Sequence, residues 1–443
     1  MPDTIAAVCT PFGEGAVALL RLSGPEAVAI AGRLFRSKRP VAELPSRFQQ
    51  FGTIVDGGRV LDEVLLTVFR APASYTGEEL VEIACHGGIL VTRRLLALLL
   101  EQGARAAGPG EFTQRAFLNG KMDLTQAEAV MDLIRAQTDL GLRAATEQLE
   151  GRLGRRIREL RETLLEILAH VEAYIDFPEE EITPDTGAAL QTRLEGIADA
   201  LAMLLRTADQ GKIVREGVRT VLYGAPNVGK SSLLNRLLGF ERAIVSATPG
   251  TTRDSIEEVI NLRGIPLRLI DTAGMRAAHD AVEREGIART LQHLERADLV
   301  LHIVDASAPC AEALEPTRLL VLNKSDLGEH PSWQDIPGIR VSCLESAGPQ
   351  SIEPLAEAIA GRILGGGVAG GDVSIAINAR HQACLQSAAR YVQAARAALK
   401  EGVSAEFIAL ELHSALDAVG DVVGRVETED LLGKIFSTFC VGK

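Results

Sequence analysis

One stretch of the sequence, VRTVLYGAPNVGKSSLLNRLLG at residues 218–239, limits the possible folds more than any other. It reads as an apolar strand, a loop of small residues and the start of a helix. Gly224, Gly229, Lys230 and Ser231 have the G-x-x-x-x-G-K-S spacing of a P-loop. Backbone N–H groups of such a loop surround phosphates, the lysine reaches the β- and γ-phosphates, and the serine hydroxyl binds Mg²⁺. The stretch therefore predicts an α/β nucleotide-binding domain.

Further motifs follow in the order expected of a GTPase. TPGTTRD at 248–254 supplies Thr251 and Thr252, one of which should reach Mg²⁺, and DTAG at 271–274 should lie beside the γ-phosphate. NKSD at 323–326 brings a carboxylate that can accept hydrogen bonds from guanine, and VSCLES at 341–346 is expected behind the base. We therefore predict GTP contacts from Asn227, Val228, Gly229, Lys230, Ser231, Ser232, Ser246, Thr251, Thr252, Asp271, Thr272, Ala273, Gly274, Asn323, Lys324, Asp326, Ser342, Cys343 and Leu344.

The glutamine that positions the attacking water in signalling GTPases is missing after Gly274, where Met275 and Arg276 stand. No arginine is placed in the sequence as a finger, which would typically supply a rate gain of about 10³–10⁵. A K⁺ ion bound by the Asn227 side chain and by carbonyls of 246–252 could neutralise the phosphates instead. From the residues alone, Asn227 is also consistent with a turn residue, and Glu283 either holds the water or is a surface carboxylate.

The composition limits the number of domains, the partners and the cellular location that the chain can have. With 443 residues, the chain is long enough for two to four domains. The formal net charge of −13 means that any contact with nucleic acid must use a local basic surface. Six cysteines without C-x-x-C spacing argue against a disulfide scaffold or a zinc cluster. No apolar run reaches membrane-spanning length, and no targeting segment is recognised, so we expect a cytoplasmic protein with no membrane contact.

The spacing of apolar residues and the turn signals divide the chain into four parts. Residues 1–120 form an α+β domain, with a strand hairpin turning at a Gly-Gly pair and a helix at Ile89–Glu101. Residues 121–215 and 372–443 are helical and flank an α/β domain at 216–371, which ends in the glycine-rich GGGVAGG. We therefore expect a Ras-like G domain inserted into one discontinuous helical domain.

A long amphipathic helix is expected in the first helical part, since apolar residues recur there at helical spacing. The same segment contains the arginine-rich GRLGRRIRELRE at 151–162, which we interpret as a solvated face paired with carboxylates rather than an RNA-binding face. The expected buried stripe is Leu153, Ile157, Leu160, Leu164, Ile167, Leu168 and Val171.

Several long motifs together resemble the MnmE (TrmE) family of bacterial tRNA-modification GTPases over essentially the whole chain. They are DTIAA, SYTGEELVEIACHGG, PGEFTQRAFLNGKMDLTQAEAV, GAPNVGKSSLLN, PGTTRD, DTAGMR and the terminal FCVGK. The resemblance implies G domains that pair across a homodimer and are activated by K⁺. It assigns Ser231 and Thr252 to Mg²⁺ and Glu283 to catalysis. It assigns to K⁺ the residues Asn227, Ser246, Thr248 and Thr251.

For the N-terminal domain, the resemblance implies binding of a tetrahydrofolate one-carbon donor (5-formyl- or methylene-tetrahydrofolate) and a role in dimerisation. The matching positions are Arg21, Glu82, Lys121 and Lys443. Glu82 would pair with the amino-pyrimidine edge of the pterin, and the cations would bind the glutamate tail. Cys440 matches a family cysteine with a candidate catalytic role, although a lone cysteine is more often a small core residue.

The family resemblance implies a GTP hydrolase that works with an FAD-dependent partner, MnmG, as a heterotetramer. Together they would install an aminomethyl or carboxymethylaminomethyl group at carbon 5 of the tRNA wobble uridine. A ribosome-assembly GTPase of the Era or Der kind is the alternative, but neither a KH-type module nor a second G domain is evident in the sequence. A regulatory switch without chemistry of its own is a third possibility.

Overall fold

The structure is a computed structural model. It describes residues 3–176, 187–240, 257–270, 294–310, 314–344, 348–364, 376–424 and 429–443. The chain divides into two compact units: one comprises 1–131, 154–158 and 420–443, and the other comprises 132–153 and 159–419. This division does not test the four domain boundaries, which remain predictions.

A seven-stranded mixed sheet forms the centre of the first unit, with the strand order β3-β4-β5-β6-β2-β1-β7. The hairpin turn falls at Gly57-Gly58 and the helix at Ile89–Glu101, so both local predictions are confirmed. The elements are β1 (Ile5–Val8), β2 (Gly15–Ser23), α1 (Ala27–Leu34), β3 (Phe35–Arg36), β4 (Phe48–Asp56), β5 (Arg59–Phe69), β6 (Leu80–Gly87), α2 (Ile89–Glu101), β7 (Arg105–Ala106) and α3 (Glu111–Leu118).

Successive side chains along each strand point to opposite faces of this sheet. Leu20, Leu22 and Ile83 are buried in the core formed with α1 and α2. Arg21 and Glu82 stand directly opposite each other on β2 and β6 and belong to the other face. A side chain on that face is therefore separated by the sheet from the two helices.

The chain then enters a helical region, α4 (Leu124–Arg135), α5 (Asp139–Leu149), α6 (Arg152–Asp176), α7 (Gly187–Arg206) and α8 (Ala208–Glu216). Every residue of the expected apolar stripe in α6 is buried, which confirms that prediction. After the α/β part, helices resume as α11 (Ala379–Glu401), α12 (Ala405–Val423) and α13 (Glu429–Phe436).

The two helical stretches contact each other, although they are distant in the sequence. α11 packs against α7, and the Arg396 guanidinium donates to a Glu195 carboxylate oxygen at 2.9 Å. Asn378 begins α11 with a capping box, in which its side chain accepts from the His381 N–H. The expected discontinuous helical domain is therefore present.

The α/β part has a six-stranded sheet in the order β13-β12-β11-β8-β10-β9, parallel except for the edge strand β9. It comprises β8 (Val218–Tyr223), α9 (Lys230–Phe240), β9 (Glu257–Leu262), β10 (Ile265–Ile270), β11 (Leu299–Asp305), β12 (Leu319–Asn323), β13 (Ile339–Arg340) and α10 (Glu353–Leu364). Near-continuous apolar strands such as β11 suit a parallel sheet covered on both faces.

None of the helices in the described segments is both long enough and apolar enough to pass through a lipid bilayer.

Candidate functional site

The P-loop lies between β8 and α9, as its motif predicts. Gly229 has φ +98°, and a side chain there would collide with the amide nitrogen of Asn323. That amide donates to the Val228 carbonyl at 2.8 Å and is buried. Only glycine therefore fits where the P-loop and the end of β12 meet.

The Lys230 ammonium donates to the carbonyl oxygens of Gly224 and Ala225, at 2.6 and 2.7 Å. Its charge is thus held over the loop that would enclose the phosphates. Ser231 and Ser232 are exposed in the first turn of α9, where helix N–H groups and the dipole favour an anion. The loop can therefore supply both a phosphate cradle and a hydroxyl for Mg²⁺.

Asn227 is exposed and has φ +66°, a left-handed conformation that asparagine tolerates better than most residues. The turn interpretation is thus correct for its backbone, and the role of its exposed side chain as a cation ligand stays a prediction. These two roles are compatible.

The NKSD motif at 323–326 is held by side chains that lie at or just after three strand ends. Lys324 donates to Asp305 at 2.6 Å, and the Ser342 hydroxyl donates to Asp326 at 2.6 Å. Asp326 is thereby held in orientation at one oxygen, and its contact with a guanine base stays a prediction. Leu344 is exposed beside Cys343, whose thiol pKa is raised to about 11 by burial. Asp305 is not among the site residues predicted from the sequence. A carboxylate at the end of a parallel strand is nevertheless a recognisable signal of a binding-site residue.

Many of the predicted GTPase residues lie outside the described residues, and their placement stays a prediction. These are Ser246, Thr248, Thr251, Thr252, Asp271, Thr272, Ala273, Gly274 and Glu283.

A second polar cluster lies in the first unit, around Arg21 and Glu82. The Arg21 guanidinium donates to Glu82 Oε1 from Nε at 3.0 Å and from Nη2 at 2.7 Å. It also lies 5.2 Å from the ring centroid of Tyr75 and 5.6 Å from that of Phe112. Such distances give favourable cation–π contacts. Neither aromatic was singled out from the sequence, although Tyr75 stands inside one of its longest motifs.

The last residues of the chain meet this cluster. Val441 pairs with Pro109 in a β-bridge, and the Phe112 N–H donates to the Lys443 main-chain oxygen at 3.2 Å. Burial raises the pKa of the Cys9 thiol, with smaller opposing effects from Arg21 and Lys443 and a raising effect from Glu82. Three of the four predicted folate residues therefore lie close enough to Cys9 to affect its pKa.

Lys121 contacts the loop that contains Tyr75, one of the aromatic residues of this cluster. Its ammonium donates to the Pro72 carbonyl at 3.0 Å, at the start of the loop that also contains Tyr75. Glu78 closes this loop by accepting from Arg115 at 3.2 Å and from the Ser23 hydroxyl at 2.7 Å. Lys121 is thus joined to the cluster through the loop rather than by direct contact.

Cys440 is exposed, so the interpretation as a small core residue is wrong for it. Its carbonyl accepts from the Gly110 N–H at 3.3 Å, which ties the segment to the start of α3. Cys440 is therefore accessible to solvent.

Comparisons with known proteins match the chain along its length. A model of the GTP-binding protein TrmE N-terminus matches residues 4–121, and a model of the MnmE helical domain matches residues 124–440. The tRNA modification GTPase MnmE of Akkermansia muciniphila is 51% identical over 450 residues, covering 99% of both chains.

Two further relatives carry the same description. The Geobacillus kaustophilus protein is 46% identical, covering 100% of this chain and 99% of its own. The Aquifex aeolicus protein is 44% identical, covering 100% of both. Full-length agreement of this kind displaces the alternative of a ribosome-assembly GTPase. The chain belongs to the MnmE family of tRNA-modification GTPases.

Proposed function

We propose that this chain, a GTP hydrolase of tRNA modification, is activated by K⁺ and uses a tetrahydrofolate one-carbon unit to modify wobble uridine. In this proposal it acts in the cytoplasm as a homodimer, joined by the FAD-dependent MnmG in a heterotetramer. The products would be aminomethyl or carboxymethylaminomethyl groups at carbon 5. The observation that supports it most is a P-loop site in one unit and an arginine–carboxylate–aromatic cluster in the other.

On the nucleotide side, each described residue has a proposed task. Lys230 would exchange the two loop carbonyls for phosphate oxygens, because a phosphate is the stronger partner for an ammonium. Ser231 would hold Mg²⁺, and Asn227 would hold K⁺ at the accessible edge of the loop. The two cations would neutralise charge on the phosphates during hydrolysis. Glu283 would orient the attacking water.

On the folate side, the pairing of Arg21 with Glu82 suggests a refined assignment. Both hydrogen bonds from Arg21 end on Oε1, and within the described residues Glu82 Oε2 accepts none. We assign Oε2 to the amino-pyrimidine edge of the pterin, with Arg21 holding the carboxylate in place. Lys121 and Lys443 then remain for the carboxylates of the glutamate tail.

Nucleoside analysis of tRNA tests this proposal. A strain lacking the gene should lose the wobble modification, and the wild-type gene should restore it. Genes carrying Lys230→Ala or Glu82→Gln should each fail to restore it, since they affect different sites. Full modification by the Glu82→Gln gene would remove the one-carbon role of this chain and leave GTP hydrolysis alone. Unchanged tRNA in the deletion strain would overturn the whole proposal.

A further inference from the structure

A groove at the edge of the first unit is lined by more cationic than anionic side chains. It runs between α1 and the segment 35–42 and has a volume of about 680 Å³, within the range of ligand-binding cavities. Four cationic residues line it against one carboxylate: Arg36, Lys38, Arg39 and Arg70, with Glu79. We call it the basic groove.

Two of these cations are already engaged within the protein. Arg70 donates to Glu79 at 3.0 Å and to the Ala42 carbonyl at 2.7 Å. Arg36 donates to the carbonyls of Gly32 and Phe35 at 3.3 and 3.1 Å. They hold the walls of the groove. Among the described residues, the Arg36 guanidinium is bonded to carbonyls and pairs with no carboxylate.

In the part of the chain that the structure describes, neither Lys38 nor Arg39 has such a partner. Both are exposed, and across the segments with described coordinates no carboxylate forms an ion pair with either. The only acidic side chain in the neighbouring turn is Glu43, which is itself exposed. These two side chains are therefore free to contact an external anion.

The backbone that presents them is held in place. The Ser37 hydroxyl donates to the Arg39 carbonyl at 2.7 Å, and β3 pairs with β4 just before it. Any side chain at Gly52 on β4 would collide with the ring of Phe35, which forms part of the groove. The backbone beneath the two cations is thus held by a hydrogen bond and follows a paired strand, so ordering it adds little to the entropy cost of binding.

The arginine-rich face of α6 differs from the basic groove in that two of its arginines are paired with carboxylates. Arg152 pairs with Glu147 at 2.8 Å, and Arg158 pairs with Asp123 at 3.0 Å. Paired charges contribute little attraction for phosphates. In a chain with net charge −13, the basic groove is the better candidate for the local positive surface that a polyanion requires.

We propose that the basic groove binds the sugar–phosphate backbone of tRNA through Lys38 and Arg39. The inference rests on the proposed function, which supplies tRNA as the substrate. The groove uses α1, which packs on the sheet face opposite to Arg21 and Glu82. tRNA could therefore dock there while the candidate folate cluster stays accessible.

Fluorescence anisotropy with a labelled, unmodified tRNA transcript tests the groove on the full-length chain. The double variant Lys38→Glu/Arg39→Glu should weaken binding roughly tenfold or more at low salt, because phosphate contacts dominate such affinity. The slope of log K against log salt should fall by about two. The double variant Arg59→Glu/Lys212→Glu is the matched control, since it changes the net charge equally at exposed sites outside the groove.

Each outcome either supports or overturns the proposal that the basic groove binds tRNA. Selective loss in the groove variant, with the control and GTP hydrolysis unchanged, supports the proposal. Equal binding by both variants, or no binding of tRNA by the wild-type chain, overturns it. Binding of phosphatidylglycerol vesicles that depends on Lys38 and Arg39 while tRNA binding does not would assign the groove to a lipid surface. None of these readouts uses wobble modification, so the proposed function stands or falls separately.

Discussion

Arg21 donates two hydrogen bonds to a single oxygen of Glu82, across two strands whose residues are 61 positions apart in sequence. The side chains are 13% and 22% exposed, so the pair is largely shielded from water. Removing one partner of a shielded ion pair leaves the other charge poorly compensated. The two residues should therefore act as one unit in ligand binding.

We expect Arg21→Ala to weaken binding of 5-formyl-tetrahydrofolate at least tenfold. The reason is that losing a hydrogen bond to a charged group costs roughly 1.5–3 kcal/mol. Arg21→Lys should not restore it, because an ammonium cannot reproduce the fork of a guanidinium. Calorimetry on the intact protein measures both affinities, with GTP hydrolysis as the control for folding. Wild-type affinity in Arg21→Ala would place the folate site elsewhere.

GTP turnover should rise about tenfold or more when Na⁺ is replaced by K⁺, because the larger ion is dehydrated more easily by oxygen ligands. Asn227→Ala should remove this difference while GTP still binds. A phosphate-release assay in both salts measures the rates, and fluorescent nucleotide titration checks binding. Equal wild-type rates in Na⁺ and K⁺ would contradict the potassium assignment.

Glu283→Ala should lower kcat by about 10²-fold or more, as expected for loss of a group that orients or deprotonates water. Nucleotide affinity should hardly change, because the residue lies outside the P-loop. Single-turnover hydrolysis separates the two effects. A large loss of affinity at normal kcat would show that Glu283 has a structural role instead.

Asp326→Asn should shift preference from guanine to xanthine nucleotides, since an amide cannot accept from both N1–H and the 2-amino group. Ser342 keeps a partner at this position, because the amide oxygen still accepts its hydroxyl. Competition titrations with GTP and XTP measure the exchange. Unchanged GTP affinity would exclude Asp326 from the base site.

Cysteine alkylation should be selective at pH 8. Burial raises the pKa of Cys85 and of Cys343 to about 11, so only roughly one thiol in a thousand is ionised there. Exposed Cys440 should react with iodoacetamide first, as measured by peptide mass spectrometry. Unfolding in guanidinium chloride should make all six react alike. Early labelling of Cys85 in the native protein would contradict the burial described.

Local patterns in the sequence determined the elements and the nucleotide motif. The stripe from Leu153 to Val171 predicts the buried face of α6 because helical spacing alone places those residues together. The P-loop is equally local, since its strand, loop and helix occupy one short stretch. The Gly-Gly turn and the helix at Ile89–Glu101 follow from the same kind of signal.

Tertiary structure alone decided which distant side chains meet. Strand register brings Arg21 to Glu82, and the fold brings Asn323 to Val228 and Val441 to Pro109. Within the described residues, the fold also leaves Lys38 and Arg39 without an ion pair, whereas Arg152 and Arg158 of α6 are paired with carboxylates. A residue's own sequence neighbours set its dihedral preferences, but its partner depends on topology and register, which span most of the chain.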